Sequence, residues 1–539
     1  MYNRLEQLPA SLSSLLRLQS LLAGHNLLTE LPPLPDSLSR IDVSYNRLKG
    51  LDAHHLLRLT FLTSLCVAPL AAGASAAGDA ASAKRLQREA AARLNVLSSV
   101  LQNSPSADLS AKNLGDEGAA YVVEALAFNT TCVAANLANN GIGRVGIAQL
   151  CEVLPTCRLE TLVLATNSVG DDGAELLGAK LSGNASLQAL DLGSNGIGDA
   201  GAAALGEGLK LNTTLLKLDL SGNAVDVKGA EALADMLAVN QTLTRLALND
   251  NYIGTDGAKA LAAALMGNSS IRELQLRGNE LGDAGVQAIA EALMAREAPI
   301  EVLDLGNNSL TSESSDVLAR LLFNKPNLRD VNLYMNELGN DGAARLAPAL
   351  AACKELSTLD LGGNDIGPEG AAALGSALGG HPVLKSVELG YNPLGPEGAE
   401  TIANTFKFNT KVETLKLGWC KIGGGPGARA LADLIMYNTT LAQLDLRGNA
   451  LGNDGAILIG RGLRAHENKR LAELDLGYNE IKDDGACALA QALKANAEGA
   501  VKELRLNANY ITRFGQVALS EAVDMVYEMA GGRTTTVSF

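Results

Sequence analysis

Aromatic residues are scarce in this 539-residue chain, where they make up 3% of the sequence and include a single tryptophan. The chain is nevertheless 47% hydrophobic, so its interior must be built from aliphatic side chains. Charged residues account for only 19%, and a chain this apolar is not intrinsically disordered. The composition therefore predicts a folded protein with a large aliphatic core.

A basic surplus, a cysteine framework and long apolar runs are also missing. The net charge is −15, which argues against nucleic acid as a partner because phosphate binding requires a basic face. Seven cysteines are scattered without a C-x-x-C pair, which predicts reduced thiols in the cytoplasm rather than disulfides or zinc. No apolar stretch reaches the roughly 20 residues of a membrane helix, and charges interrupt the N-terminal leucines, so we expect neither membrane insertion nor a signal peptide.

Repetition dominates the chain instead. The pattern L-x-x-L-x-L-x-x-N, followed by a hydrophobic residue, Gly and a Gly/Ala-rich stretch, recurs with a mean period of about 28 residues. Lys112 and Cys420 occupy the position of the asparagine in two of the fifteen units. In the other thirteen units the residue is Asn140, Asn167, Asn195, Asn223, Asn251, Asn279, Asn308, Asn336, Asn364, Asn392, Asn449, Asn479 or Asn509.

Each unit contains a short alternating segment, a turn and a segment with helical periodicity, which predicts one strand and one helix. Such a unit cannot bury its apolar faces alone, so the fold class is an α/β solenoid with a parallel inner β-sheet and outer α-helices. We expect the repeated asparagines to form a ladder that satisfies buried backbone groups. An acid or amide four residues later, as at Asp171 and Asp199, is predicted to cap a helix.

Four regions follow from the repeat spacing. Residues 1–70 contain short repeats and an N-terminal cap, because the prolines at 32, 33 and 35 exclude a helix between the first strands. Residues 71–83 form an Ala/Gly/Ser-rich insertion or joint, and residues 84–530 hold the fifteen long units. Residues 531–539 form a capping tail, in which alternation over 534–539 predicts a terminal strand.

The long unit resembles the ribonuclease-inhibitor class of the leucine-rich-repeat superfamily, and it is also similar to the sensor repeats of NLR receptors. The short N-terminal units are similar to the leucine-rich repeats of bacterial and some protist proteins. The resemblance implies a horseshoe whose concave sheet binds another protein. It implies no reaction, since the class includes inhibitors, NLR sensor regions, axonemal regulatory subunits and the Ran GTPase-activating protein.

Motifs for catalysis or cofactors are weak. Gly196 to Gly201 reads G-x-G-x-x-G between a strand and a helix, but sibling units replace the first glycine, so repeat geometry explains it better than a nucleotide does. His54 and His55 adjoin without a third metal ligand. We therefore predict no catalytic residue, no cofactor and no metal site.

Two features on the expected concave face are candidates for binding. Acidic residues fill eight of fifteen positions located four residues before the repeated position, and they form either a docking strip for a basic surface or the family's usual L-D-L strand. The acidic strip that we single out consists of Asp191, Asp219, Asp304 and Asp360.

The second feature is a patch on the C-terminal half, where aromatic residues precede the repeated position by one or two residues and basic residues lie nearby. Either these side chains form an interface hot spot or they pack the loops between repeats. The basic members would also accept an acidic segment. The patch comprises Tyr334, Glu388, Tyr391, Lys416, Trp419, Asp445, Arg447, Tyr478 and Arg505.

These observations favour a non-enzymatic scaffold that binds a protein partner with a basic segment, within a larger assembly of cytoskeletal or axonemal type. The expected location is the cytoplasm, including the cytoskeleton or a cilium. One alternative is an innate-immune sensor that lacks its nucleotide-binding module. The other is a GTPase-activating protein of the Ran type, although the chain ends without the long acidic tail typical of that group.

Overall fold

The computed structural model describes residues 104–127, 129, 131–465 and 469–539, together with Leu28 and three short N-terminal strands. The chain forms two compact units, residues 1–104 with 112–114 and residues 105–111 with 115–539. In the first unit, β1 (Ser20–Leu22), β2 (Arg40–Asp42) and β3 (Ser64–Cys66) form a parallel sheet in chain order. The predicted joint at 71–83 and the paired histidines lie outside the described residues.

The second unit contains sixteen strands that form one parallel sheet in chain order. This confirms the predicted α/β solenoid with a continuous inner sheet. The strands are β4 (Ser106–Asp108), β5 (Ala134–Asn136), β6 (Thr161–Val163), β7 (Ala189–Asp191), β8 (Lys217–Asp219), β9 (Arg245–Ala247), β10 (Glu273–Gln275), β11 (Val302–Asp304), β12 (Asp330–Asn332), β13 (Thr358–Asp360), β14 (Ser386–Glu388), β15 (Thr414–Lys416), β16 (Gln443–Asp445), β17 (Glu473–Asp475), β18 (Glu503–Arg505) and β19 (Thr536–Ser538).

Fifteen described helices alternate with these strands, and a short 3₁₀ helix, Ser312–Ser314, precedes the eighth of them. Each helix packs against the helix of the neighbouring repeat. The helices are α1 (Gly115–Ala127), α2 (Arg144–Val153), α3 (Gly170–Leu181), α4 (Asp199–Leu211), α5 (Val227–Val239), α6 (Gly254–Leu265), α7 (Gly282–Ala295), α8 (Ser315–Asn324), α9 (Gly339–Ala352), α10 (Pro368–Leu378), α11 (Gly395–Phe406), α12 (Pro426–Tyr437), α13 (Gly452–Leu463), α14 (Asp483–Ala495) and α15 (Arg513–Met529).

The core lies between the sheet and the helices and is aliphatic, as the composition predicts. The middle residue of each strand points inward, as does Leu190 in β7, and the flanking Leu187 and Leu192 are buried with it. Phe406 is the one aromatic side chain in the buried core of the described residues. The first and third residues of each strand point to the opposite side of the sheet, which we call the open face.

The repeated asparagine joins each repeat to the one before it. Asn195 Nδ2 donates to the Leu164 carbonyl of the preceding repeat at 3.0 Å and to the Gly193 carbonyl of its own loop at 3.1 Å. Its Oδ1 accepts from the Val169 N–H at 3.2 Å. Repetition of this arrangement along the sheet produces the predicted ladder, because loop groups that no strand can pair are satisfied by the amide.

A second row of buried side chains lies where the helices end. Asn184 Nδ2 donates to the Leu154 carbonyl of the preceding repeat at 2.8 Å, and its Oδ1 accepts from the Leu187 N–H at 2.8 Å. Asn212 and Asn438 repeat this pattern, so the Asn-x-Thr segments serve turns. In four consecutive repeats the position is occupied by Arg296, Lys325, Cys353 and His381.

The capping residues act on the helix of the following repeat. Asp171 lies in the first turn of α3, yet its Oδ1 accepts from the N–H groups of Gly198 and Gly201 at the start of α4, at 2.7 and 3.0 Å. A carboxylate therefore already occupies this helix N-terminus. A Cβ atom at Gly201 would lie 2.6 Å from Asp171 Oδ1, so packing between repeats explains the G-x-G-x-x-G match.

The predicted terminal strand is confirmed. The tail forms β19, which pairs in parallel with β18 through Val537 beside Leu504. Thr535 is buried, and its hydroxyl donates to the Val501 carbonyl at 2.9 Å. The tail thus covers the edge of β18 that would otherwise be unpaired in the described chain.

The ladder predicts a graded stability series. Asn364→Leu should lower the free energy of unfolding by roughly 1–3 kcal/mol, because its Nδ2 donates to three carbonyl oxygens although its Oδ1 has no partner. Asn392→Leu should cost more, since the Asn392 Oδ1 also accepts from two N–H groups. Cys420→Ser should cost least, because a hydroxyl can replace the thiol as a donor. Chemical denaturation measures the series, and a neutral Asn364→Leu contradicts the ladder.

Candidate functional site

Each residue of the acidic strip is the last residue of its strand and has a local structural partner. Asp191 Oδ1 accepts from the Gly193 N–H at 2.9 Å, and Asp360 Oδ1 accepts from the Gly362 N–H at 2.9 Å. Asn332 occupies the same position in β12 and makes the same bond, to the Tyr334 N–H at 2.8 Å. An amide oxygen at this position accepts from the turn as a carboxylate does, so the turn does not require a negative charge.

Ionisation of these residues is unfavourable where two acidic side chains lie side by side on neighbouring strands. Asp191 lies beside Asp219, and Asp360 lies beside Glu388 in the strand register. Burial, together with the neighbouring Glu388, raises the pKa of Asp360 to about 7 from its ordinary value of 3.8. Burial likewise raises the pKa values of Asp191 and Asp304. The strip therefore holds acidic groups whose ionised forms are only partly stabilised by the protein itself.

The basic residues of the patch are already paired. Lys416 Nζ lies 3.3 Å from Glu388 Oε2, and Arg447 Nε lies 2.9 Å from Asp445 Oδ2. Arg505 Nε lies 2.7 Å from Glu503 Oε1. Neighbouring carboxylates therefore already pair with the cations that the sequence analysis expects to accept an acidic segment.

The four aromatic residues lie in the loops that follow their strands, beside the open face, and form one continuous row that we call the ring row. Tyr391 and Trp419 are stacked, with ring centroids 6.2 Å apart and an interplanar angle of 15°. Tyr478 lies 5.6 Å from Trp419, and Tyr334 lies edge-on at 6.5 Å from Tyr391. The whole residues Tyr391, Trp419 and Tyr478 are 49%, 40% and 54% exposed, so contacts between repeats leave about half of their surface free.

Three members of the ring row occupy a strained backbone position. Tyr391, Trp419 and Tyr478 immediately precede the repeated position and have φ angles of 60°, 60° and 55°. This left-handed conformation favours glycine, and bulky residues adopt it at a cost of about 1–2 kcal/mol. Glycine fills the same position in other repeats, as at Gly363 and Gly448.

Glycines beside the large side chains make room for them. A Cβ atom at Gly448 would overlap the Trp419 ring, so the absence of a side chain there lets Trp419 reach Tyr478. Tyr334 sits one residue earlier in its repeat, and its ring edge lies 3.1 Å from the Cβ position of Gly362. Asp360 Oδ1 lies 3.3 Å from that same position. The Tyr334 ring and the Asp360 carboxylate are thus close neighbours.

The patch singled out from the sequence leaves out one member of this surface. Arg277 occupies the same repeat position as Tyr334, its Cγ lies 3.2 Å from the Cβ position of Gly306, and its guanidinium bonds Asp250 at 2.7 Å. The signal was available as an alternation of large residues and glycine two residues before the repeated asparagine. Recognising it required knowing that a side chain in one repeat lies over the glycine at the same position of the next repeat.

Other chemistry is limited in the described part of the chain. Nowhere in the described ranges do three His, Cys, Asp or Glu side chains come together as a metal ion would need. None of the helices placed by the structure combines the length and apolarity that a bilayer crossing requires.

A family model, the leucine-rich repeat, matches nine segments of the second unit. The chain belongs to the leucine-rich-repeat superfamily. Proteins built from these repeats generally act as scaffolds for protein interaction. The matched segments are residues 183–206, 211–234, 239–262, 267–290, 352–375, 380–403, 408–432, 437–460 and 467–490.

Two solved structures are similar to this leucine-rich-repeat chain. Leiomodin-1 actin-binding site 2 is 21% identical, with 28% of this chain and 86% of that chain covered and a TM-score of 0.24. The Rad7 and Elc1 complex from yeast is 13% identical, with 82% and 96% covered and a TM-score of 0.45. No curated protein sequence matches.

The left-handed position predicts a stabilising glycine substitution. Ala508 is exposed, precedes Asn509 and has a φ of 56°. Ala508→Gly should raise the free energy of unfolding by about 0.5–1 kcal/mol, because glycine adopts this conformation without strain. Ala263→Gly, at an exposed position within α6, should instead lower it by about 1 kcal/mol. Chemical denaturation gives the free energy of unfolding of both variants. The same change in this free energy for both variants would contradict the strain at Ala508.

Asp360 predicts a pH-dependent difference in stability. Its folded pKa of about 7 exceeds the ordinary 3.8, so the folded protein binds the extra proton and gains stability as the pH falls from 8 towards 4. Asp360→Asn cannot titrate but keeps the turn acceptor, as Asn332 does. The variant should be more stable than the natural chain by at least about 1 kcal/mol at pH 8, with a difference that shrinks on acidification. A pH-independent difference in urea denaturation refutes this assignment.

Proposed function

We propose that this leucine-rich-repeat protein is a non-enzymatic scaffold that binds a protein partner through the open face of its second unit. The observation that carries the proposal is the ring row. Four aromatic side chains converge on one surface in a chain that is poor in aromatic residues. Tyr391, Trp419 and Tyr478 remain about half exposed there. Exposed tyrosine and tryptophan are the residues that interface hot spots use most.

Backbone strain favours binding over loop packing as the reason for the row. Packing between rings contributes about 0.5–1.5 kcal/mol per pair, which offsets the cost of the left-handed backbone without a clear surplus. Glycine at these positions, as at Gly363, would keep the ladder and avoid the strain. Residues held in strained conformations cluster at functional surfaces.

Charge supports a partner with a basic segment. The open face carries Asp191, Asp219, Asp304 and Asp360, and no ion pair among the described residues includes any of them. A basic side chain of a partner would stabilise their ionised forms and increase the association rate at low salt. The same charges disfavour nucleic acid on this face.

We further propose a cytoplasmic location and a role as a subunit of a larger assembly of cytoskeletal or ciliary type. Apart from the terminal strand β19, the described helices and strands of the second unit belong to repeats, which suits a subunit whose contribution is contact surface. The buried cysteines of the second unit are free, and burial raises the pKa of Cys420 to about 12, which suits a reducing compartment.

Loss of the ring row should weaken partner binding. Trp419→Ala combined with Tyr391→Ala should cost at least about 2 kcal/mol of binding free energy and leave the fold largely intact. Quantitative affinity capture from native cells with mass spectrometry identifies proteins retained by the natural chain and lost with the variant, and titration of the purified partner gives the affinity.

A matched control exists on the helix side. Phe408 and Tyr437 also form an exposed aromatic pair, with centroids 6.0 Å apart, at the ends of α11 and α12. Phe408→Ala combined with Tyr437→Ala should leave binding unchanged. If the helix-side variant abolishes binding and the open-face variant does not, the assignment of the site is wrong.

A further inference from the structure

One histidine takes the place of an asparagine in the buried row where the helices end. His381 follows α10 and is only 3% exposed. Its Nε2 lies 2.9 Å from the Cys353 carbonyl oxygen of the preceding repeat, and its Nδ1 lies 3.1 Å from the amide nitrogen of Leu384. The imidazole therefore joins two repeats and also closes the turn that leads into β14.

The two partners determine which nitrogen of the ring carries the proton. A carbonyl oxygen can only accept a hydrogen bond, so Nε2 must donate to Cys353. A backbone N–H can only donate, so Nδ1 must present its lone pair to Leu384. The geometry thus requires the neutral imidazole, because the charged form would place an Nδ1–H group against the Leu384 N–H group.

Asparagine makes the equivalent contacts in the next repeat without an ionisable group. Asn409 Nδ2 donates to the Gly379 carbonyl at 2.9 Å, and its Oδ1 accepts from the Val412 N–H at 2.7 Å. Asn409 is buried as well. An amide offers this donor and this acceptor at every pH, whereas histidine offers them only while it is neutral.

The preceding repeat opposes a positive charge on His381. Burial and the nearby Lys354 both lower the pKa of His381 from its ordinary value of 6.5. Cys353 is uncharged at neutral pH, because burial raises the pKa of its thiol to about 11, and Glu355 in the same turn acts on that thiol. The folded chain therefore binds this proton less readily than the unfolded chain does.

The carboxylates on the other side of His381 are already paired. Lys385, which follows in the same repeat, has its Nζ 3.3 Å from Glu413 Oε1. Beyond α11, which packs against α10, Lys407 Nζ lies 3.1 Å from Asp433 Oδ2. Because the folded pKa of His381 is lowered, its contribution to stability is fully present above pH 6.5 and is lost as the pH falls through the folded pKa.

We propose that His381 is a pH-sensitive joint between its repeat and the preceding one, in which protonation of Nδ1 on acidification breaks the bond from Leu384 and opens the turn between α10 and β14. The turn leads into the strand of the repeat that carries Tyr391, so acidification loosens one repeat beneath the ring row. The inference concerns the stacking of repeats and stands apart from the proposed function.

Hydrogen–deuterium exchange of the full chain tests the joint. His381→Asn introduces the residue found at Asn409, which can make both hydrogen bonds and cannot titrate. Between about pH 7.5 and about pH 5, protection of residues 381–388 in the natural chain should fall at least about threefold relative to the variant. Residues 409–413, which cover the turn closed by Asn409, should show equal protection in both chains. Comparison of the two chains at the same pH removes the intrinsic pH dependence of exchange.

Histidine NMR measures the ring itself. With all five histidine side chains labelled, the signal that disappears in His381→Asn belongs to His381. It should show the Nε2–H tautomer at about pH 7.5 and a titration midpoint below 6.5.

Each of three outcomes overturns the inference. They are equal protection of residues 381–388 in the two chains at both pH values, an Nδ1–H tautomer, and a titration midpoint at or above 6.5. If His381→Asn fails to fold, exchange within the natural chain decides. Loss of protection on acidification that is larger at residues 381–388 than at 409–413 supports the joint, and equal loss at both turns contradicts it.

Discussion

The hydrogen bonds of one buried asparagine per repeat hold the second unit in register. After each strand the chain must turn sharply, and the turn exposes backbone groups that the sheet cannot pair. Asn195 solves this with an amide that donates to the loop before it and to its own loop and accepts from the preceding repeat. Because every such side chain reaches the preceding repeat, each repeat needs its neighbour, and stability grows with stacking.

The ladder also determines where binding residues can be placed. The residue before each asparagine is held in the left-handed conformation by the same turn, and its side chain projects from the loop beside the open face. Seven of the fifteen repeats fill this position with glycine, asparagine or aspartate, which tolerate the conformation, as at Gly448 and Asn307. Tyr391, Trp419 and Tyr478 are bulky residues in the same conformation, and their alignment follows from the regular stacking beneath them.

The surplus of acidic residues has two separate structural uses. On the helix side, carboxylates such as Asp171 and Asp483 cap the helix of the following repeat, where an anion opposes the helix dipole. On the open face, carboxylates such as Asp445 accept from the turn after their own strand. Basic neighbours pair with several of the second group, as Arg447 does with Asp445, whereas no ion pair among the described residues includes Asp360.

The amino-acid pattern by itself determined the class of fold, because the spacing of leucines and asparagines is local and repeats fifteen times. It was sufficient to predict the continuous parallel sheet, the terminal strand at Thr536–Ser538 and the ladder. It also predicted that aromatic side chains would gather on one half of the open face. Local periodicity carries all of this information.

Tertiary structure decided which groups meet. Asp171 was recognisable as a cap, but only stacking shows that it caps the helix of the next repeat. Lys416 and Arg447 looked available in the sequence and are paired across or within strands. The contact of Trp419 with Tyr478 depends on Gly448 in the repeat between them, and the closeness of Tyr334 to Asp360 depends on Gly362. Such contacts join residues about one repeat apart or more, so the packing of neighbouring repeats sets them and the local pattern cannot.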